Sequence, residues 1–70
     1  MYFVDVILPI PVENAFTYRI SEAEYAFIKP GMRLAVPFGK SKIYTALASA
    51  VHQVEPRIYE AKEIEQILDE

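Results

Sequence analysis

Seventy residues with no cysteine and a single histidine allow one thin-cored domain. They exclude a disulfide framework, a thiolate metal site and a zinc site resting on His52 alone. With 53% hydrophobic and 24% charged residues the composition is globular, the apolar runs are too short to span a bilayer, and Met1 does not open a secretion signal. A formal charge of −3 argues, taken alone, against nucleic acid as a ligand.

The charge is unevenly placed. Residues 1–54 carry four acids and five bases, whereas residues 55–70 carry six acids and two bases. Between Lys29 and Lys42 there are four bases and no acid. Exposed charges are screened beyond about 8 Å at physiological salt, so a local basic segment can meet phosphate despite an acidic tail. Four bases are also what solubilised loops and strand edges carry.

Tyr2–Leu8 alternates as a strand, with Tyr2, Val4, Val6 and Leu8 on one face and Phe3, Asp5 and Ile7 on the other. Pro9 and Pro11 stop it, since neither has the N–H that a ladder needs. A polar turn at Glu13-Asn14 leads to a second strand, Ala15–Ile20, with Phe16, Tyr18 and Ile20 pointing one way and Thr17 and Arg19 the other. Ser21 with Glu24 three residues on has capping-box spacing, which predicts a helical turn over Ser21–Ala26.

Lys29-Pro30-Gly31 carries the signature of a type II turn, with Gly31 at positive φ. A short strand over Met32–Val36 follows, with Leu34 and Val36 inward, then a loop from Pro37 to Lys42. Tyr44–Val54 reads as a longer strand with Leu47 and Val51 on one face and Tyr44, Ala46, Ala48 and Ala50 on the other. Local propensity favours helix over Ala61–Leu68, where Ala61, Ile64, Ile67 and Leu68 share a stripe.

Catalytic patterns are missing. The two glycines form no phosphate loop, there is no thiol nucleophile, and neither G-x-S-x-G nor H-E-x-x-H occurs. His52 reads as an edge residue and Glu63/Glu65 as a solvated face, not as acid–base machinery. Function is therefore expected in binding.

The order of the motifs points further. Leu8-Pro9-Ile10-Pro11, then Ala15-Phe16-Thr17-Tyr18, then Lys29-Pro30-Gly31-Met32-Arg33-Leu34-Ala35-Val36-Pro37-Phe38-Gly39-Lys40 resembles the extreme N-terminus of the PriA family of bacterial replication-restart helicases, also called primosomal protein N′. That pattern ends on a small-residue strand and L-K-x-I-x-x-V-L-D, matched here by Ala61-Lys62-Glu63-Ile64-Glu65-Gln66-Ile67-Leu68-Asp69. The resemblance implies that residues 1–70 are a single 3′-DNA-binding domain, an N-terminal fragment of a longer ATP-dependent 3′-5′ DNA helicase. Such a domain grips the 3′ end of the nascent leading strand at stalled forks and D-loops.

Several expectations follow from that resemblance. The fold is mainly β, a small curved antiparallel sheet or partly open barrel of about five strands with at most a short helical turn. Ile64–Leu68 becomes a strand against its local propensity. The pocket for the terminal nucleotide maps onto Phe16, Thr17, Gly39 and Lys62: a ring to stack, a hydroxyl to accept, a backbone without Cβ and a phosphate-pairing ammonium. Thr17 departs from the pattern, because an aspartate is common at that position and threonine accepts without charge assistance.

Arg19, Lys29, Arg33, Lys40 and Lys42 are the expected DNA-backbone contacts. The fragment is expected to need no cofactor, ATP and zinc belonging to the full-length protein. Expected partners are branched or single-stranded DNA with a free 3′-OH, the other helicase domains, single-stranded-DNA-binding protein and primosome components. No membrane is expected, and the location is the bacterial cytoplasm at the nucleoid.

Each pocket residue also has a plainer reading: Phe16 as core, Gly39 as a turn glycine, Lys62 as a partner of Glu60 or Glu65. Two other functions stand beside DNA binding. One is a small β-barrel protein-interaction module, the other a structural fragment exposing strand edges.

Overall fold

A computed structural model describes residues 1–11 and 15–69. The expected turn at Glu13-Asn14 lies outside the described residues. Five strands form one unclosed antiparallel sheet: β1 (Tyr2–Ile7), β2 (Phe16–Ile20), β3 (Arg33–Phe38), β4 (Lys42–His52) and β5 (Gln66–Ile67), in the order β2-β1-β4-β3-β5. One helix, α1 (Glu22–Phe27), joins β2 to β3.

Alternation builds the core. Val4 and Val6 of β1, Tyr18 and Ile20 of β2, Leu34 and Val36 of β3 and Ala46 and Ala48 of β4 all turn inward and are buried. The other face of β1 is divided: Phe3 is covered, with the His52 ring stacked at 6.0 Å, while Ile7 stands exposed.

On β4 the expected face assignment holds only in part. Asp5 pairs with Ala50 but Val6 with Ala48, so Ser49 is an extra residue that shifts the phase. Val51 thereby joins the core face with Ala46 and Ala48, Leu47 stays on the exposed face, and Ala50 leaves the inward set. β4 also stops at His52, two residues short of Val54.

The local punctuation of the middle of the chain behaves as its chemistry dictates. Ser21 Oγ accepts from the Glu24 N–H at 3.1 Å, and Glu24 Oε1 accepts from the Ser21 N–H at 2.7 Å, closing the capping box. Gly31 takes φ 92°, and the Met32 N–H donates to the Lys29 carbonyl at 3.1 Å, as a type II turn requires.

The expected Pro37–Lys42 loop is a correction. Pro37 and Phe38 continue β3, Lys42 begins β4, and the turn shrinks to Gly39-Lys40-Ser41. Odd-numbered residues of β3 aim their backbone groups toward β5: the Glu65 N–H donates to the Ala35 carbonyl and the Leu68 N–H to the Arg33 carbonyl. Pro37 lies past the reach of β5, so its missing N–H deprives no neighbouring strand of a bond.

The tail is extended, with no helix over residues 61–68, although the strand itself is only Gln66–Ile67 where Ile64–Leu68 was expected. Glu63 makes an isolated parallel bridge with Arg19 on β2, and β5 pairs with β3. One segment thus touches both edges of the sheet. Coiled into a helix, it could not supply the Lys62 carbonyl to the Arg19 N–H at 2.7 Å or cover the β3 carbonyls. Ala61 and Ile64, the buried side chains of this stretch, anchor it in the same position.

Candidate nucleic-acid interface

The curl of the sheet brings the start of β2 against the end of β3. There the Tyr18 hydroxyl donates to the Pro37 carbonyl at 2.7 Å, and Phe16 meets Phe38 edge-to-face at 5.1 Å. Burial, helped by the neighbouring Tyr59 hydroxyl, raises the pKa of Tyr18, so the phenol keeps its proton and remains a donor. Between this corner and the tail lies a cavity of about 150 Å3.

Phe16, Thr17, Gly39 and Lys62 all line that cavity. Phe16 is half-buried, one side against the core and the other toward the opening, so its core and wall roles coexist. Gly39 has φ 71°, a left-handed conformation that disfavours any side chain, and a Cβ built there would meet nothing within 4 Å. Lys62 spans the cavity. Its carbonyl accepts from β2 at Arg19, and its ammonium donates to the Gly39 carbonyl at 3.3 Å. Among the described residues it pairs with neither Glu60 nor Glu65.

Thr17 is held differently from expectation. Its hydroxyl donates to Asp5 Oδ1 at 2.7 Å, leaving lone pairs but no proton for a ligand. The same Asp5 oxygen lies 2.8 Å from His52 Nε2, and the Val54 N–H donates to His52 Nδ1 at 3.0 Å. With Nδ1 accepting, Nε2 is the nitrogen that carries the proton toward Asp5. His52 is an edge residue, as its position in the sequence predicts, and it positions Asp5 and through it Thr17.

The five expected backbone contacts divide. Arg19 lies 3.3 Å from Glu63 Oε2, and Arg33 forks onto Asp69 with Nη2 at 2.7 Å and Nε at 3.0 Å from Oδ1. The Arg33 N–H also donates to Asp69 Oδ2 at 2.7 Å. Hydrogen bonding to Asp69 raises the Arg33 pKa, and hydrogen bonding to Arg33 lowers that of Asp69. Lys29, Lys40 and Lys42 are exposed and without an ion pair among the described residues. Lys40 lies in the turn beside Gly39 and Lys42 directly after it, whereas Lys29 sits at the other end of the β3–β4 hairpin, where the Gly31 N–H reaches the Ala48 carbonyl.

Sequence reasoning missed Tyr18, Pro37, Phe38, Tyr59 and Glu60 as lining residues. Phe38 was within reach, since it shares parity with Leu34 and Val36 once Pro37 is allowed in the strand. Tyr59 carried no such signal. Only the tertiary path of the tail sets its hydroxyl 2.8 Å from the Thr17 N–H and its ring 6.3 Å from Phe16. A second, more polar groove of about 230 Å3 runs along Arg19, Ser21, Glu24 and Glu63, and is already bridged by the Arg19–Glu63 pair. No cluster of acids and histidines among the described residues could hold a metal ion, and no helix there is long and apolar enough to cross a membrane.

Fold and cavity together define a small β-sheet binding module, with an aromatic floor and a lysine across its mouth. The family model for the 3′ DNA-binding domain (3′BD) of PriA matches residues 5–70, and the chain belongs to that family. It is similar to the "Replication restart protein PriA" of Bacillus subtilis (strain 168), with 33% identity over 72 residues. That alignment takes in 99% of this chain and 9% of the relative's length.

Proposed function

We propose that this domain binds the 3′-hydroxyl end of a DNA strand without regard to sequence. What supports the reading is that Phe16, Gly39 and Lys62, brought from three separate parts of the chain, line one cavity in a member of this family. A base resting on Phe16 offers a π-face whatever its identity. The sugar and its 3′-hydroxyl approach the bare backbone at Gly39, and Lys62 keeps two ammonium protons beyond the one given to the Gly39 carbonyl. Lys40 and Lys42, next to Gly39 at the β3–β4 turn, attract the phosphates that follow.

In the longer protein, the domain orients an ATP-dependent helicase on the nascent leading strand at stalled forks and D-loops, for primosome assembly and restart. The chemistry of unwinding, with its ATP and zinc, belongs to other parts of that protein, and no catalytic step is assigned to this domain.

The deciding experiment is a titration of the domain with single strands ending in 3′-OH or 3′-phosphate. Preferential binding of the hydroxyl end, weakened in Lys62→Ala with an unchanged circular dichroism spectrum, is the expected result. Equal binding of the two ends removes the proposal.

A further inference from the structure

The walls of the cavity are held unequally. Phe16 and Phe38 are strand residues packed on the core and on each other. Tyr59 comes from the connection between β4 and β5, where residues 57–59 trace a bend outside the ladder. Its neighbours Arg57, Ile58 and Glu60 are exposed, Ile58 at 93%. Tyr59 is 40% exposed, and the hydrogen bond that holds its side chain is a single one, accepted from the Thr17 N–H.

Two rings that clasp a nucleobase lie about 7 Å apart, twice the ~3.4 Å spacing of stacked bases. The Phe16 and Tyr59 centroids are 6.3 Å apart with an interplanar angle of 50°. The tilted pair is not itself a clasp, but Tyr59 is the ring that no core packing restrains, so its rotation and withdrawal open the parallel slot of about 7 Å that a base needs.

We infer that Tyr59 is the outer wall of the terminal-base site: the last base enters between Phe16 and Tyr59, and its entry turns Tyr59 off the Thr17 amide. That N–H lies on the edge of β2 away from β1, and once released it becomes a donor for an oxygen of the terminal nucleotide. Tyr59 is then both a stacking surface and a stopper that keeps a backbone donor satisfied while the cavity is empty. The inference rests on the 3′-end reading and assigns it a residue from the tail.

The test uses 3′-hydroxyl strands with an intact terminal nucleotide or an abasic one, against the unaltered domain, Tyr59→Phe, Tyr59→Leu and Tyr59→Ala. Base–aromatic stacking predicts about a tenfold loss for Tyr59→Ala on the intact strand, and a smaller penalty for the missing base than the unaltered domain shows. Tyr59→Leu keeps apolar bulk without a π-face and loses affinity likewise, which separates stacking from support of the fold. Tyr59→Phe keeps the ring, gives up the bond to Thr17, and binds as tightly as the unaltered domain or more so.

Undiminished binding by both Tyr59→Ala and Tyr59→Leu overturns the inference, as does an abasic penalty equal in all four proteins. Loss of the preference for 3′-OH over 3′-phosphate in the unaltered domain strikes the 3′-end reading itself. Retention of that preference alongside an indifferent Tyr59→Ala strikes only the role of Tyr59.

Discussion

Residues 2–11 with 15–52, on one hand, and residues 53–69, on the other, are held by different physics. The first region is a sheet whose inward side chains exclude water: Phe3, Val4, Val6, Leu34 and Val36 are fully buried. The second lies along both edges of that sheet, with Ala61 and Ile64 buried, Ile67 packed against the core, and the rest attached by backbone bonds, by the Tyr59 and Lys62 side-chain hydrogen bonds and by ion pairs at Arg19 and Arg33. The cavity opens at the seam between them, with Phe16, Phe38 and Gly39 on one side and Tyr59 and Lys62 on the other. A ligand site at such a seam has one wall fixed by the core and another that can yield at low cost.

That contrast predicts a graded response to substitution. Leu34→Ala, in the fully buried layer, should cost about 2–5 kcal/mol. For so small a domain that is a large part of the total, and the urea transition should shift to low denaturant or vanish. Ile64→Ala should cost about 2 kcal/mol, the lower end for such a truncation. Its signature should be local: in hydrogen exchange, the Arg19 and Leu68 amides lose protection before those of β1 and β4. Equal loss of protection everywhere would mean that sheet and tail are one cooperative unit.

Gly39→Ala should cost about 1 kcal/mol, because the left-handed backbone is disfavoured once a Cβ is present. The open space around that position means strain alone and no clash, so the folded spectrum should be retained. The smallest effect is that of pH on the far end of the tail. Arg33 holds the Asp69 carboxyl below the ordinary aspartate range near about 3.9. A carboxylate depressed in the folded state contributes its stabilisation above that range and loses it as pH falls through the lowered value. Protection of the Leu68 amide should therefore decline in acid in the unaltered chain, whereas Asp69→Asn should show weaker protection already at neutral pH and lose that acid dependence, with the core amides unmoved in both. The Arg33 side chain is exposed and that of Asp69 is partly so, and the pair is screened by solvent, so the change in global stability should be slight.

The same contrast explains the net charge of −3. The acidic last sixteen residues do not simply oppose a basic body. Glu63 and Asp69 are laid onto Arg19 and Arg33, whereas Lys29, Lys40, Lys42 and Arg57 stand exposed and without an ion pair among the described residues. Substituting Glu60, which lines the cavity, by glutamine should raise affinity for a phosphate-bearing strand severalfold at low salt, and the gain should fade as salt is added.

Much of the architecture was legible along the chain because it depends on neighbours a few residues apart. Alternation marks the strands, Ser21 and Glu24 close their box, and Gly31 suits the positive φ at the third position of its turn. The convergence of Phe16, Gly39 and Lys62 was legible only through the resemblance, since spacing in sequence says nothing about a curled sheet bringing β2 to β3.

What remained was decided in three dimensions. The extra residue at Ser49 changes which face Val51 joins, and its position depends on pairing with β1. Helix propensity in the tail loses to backbone donors and carbonyls waiting at two sheet edges, partners that a local stretch of sequence cannot see. Tyr59 reaches the cavity because the connection leaving β4 comes alongside the free edge of β2, where the Thr17 and Arg19 N–H groups take the Tyr59 hydroxyl and the Lys62 carbonyl as acceptors.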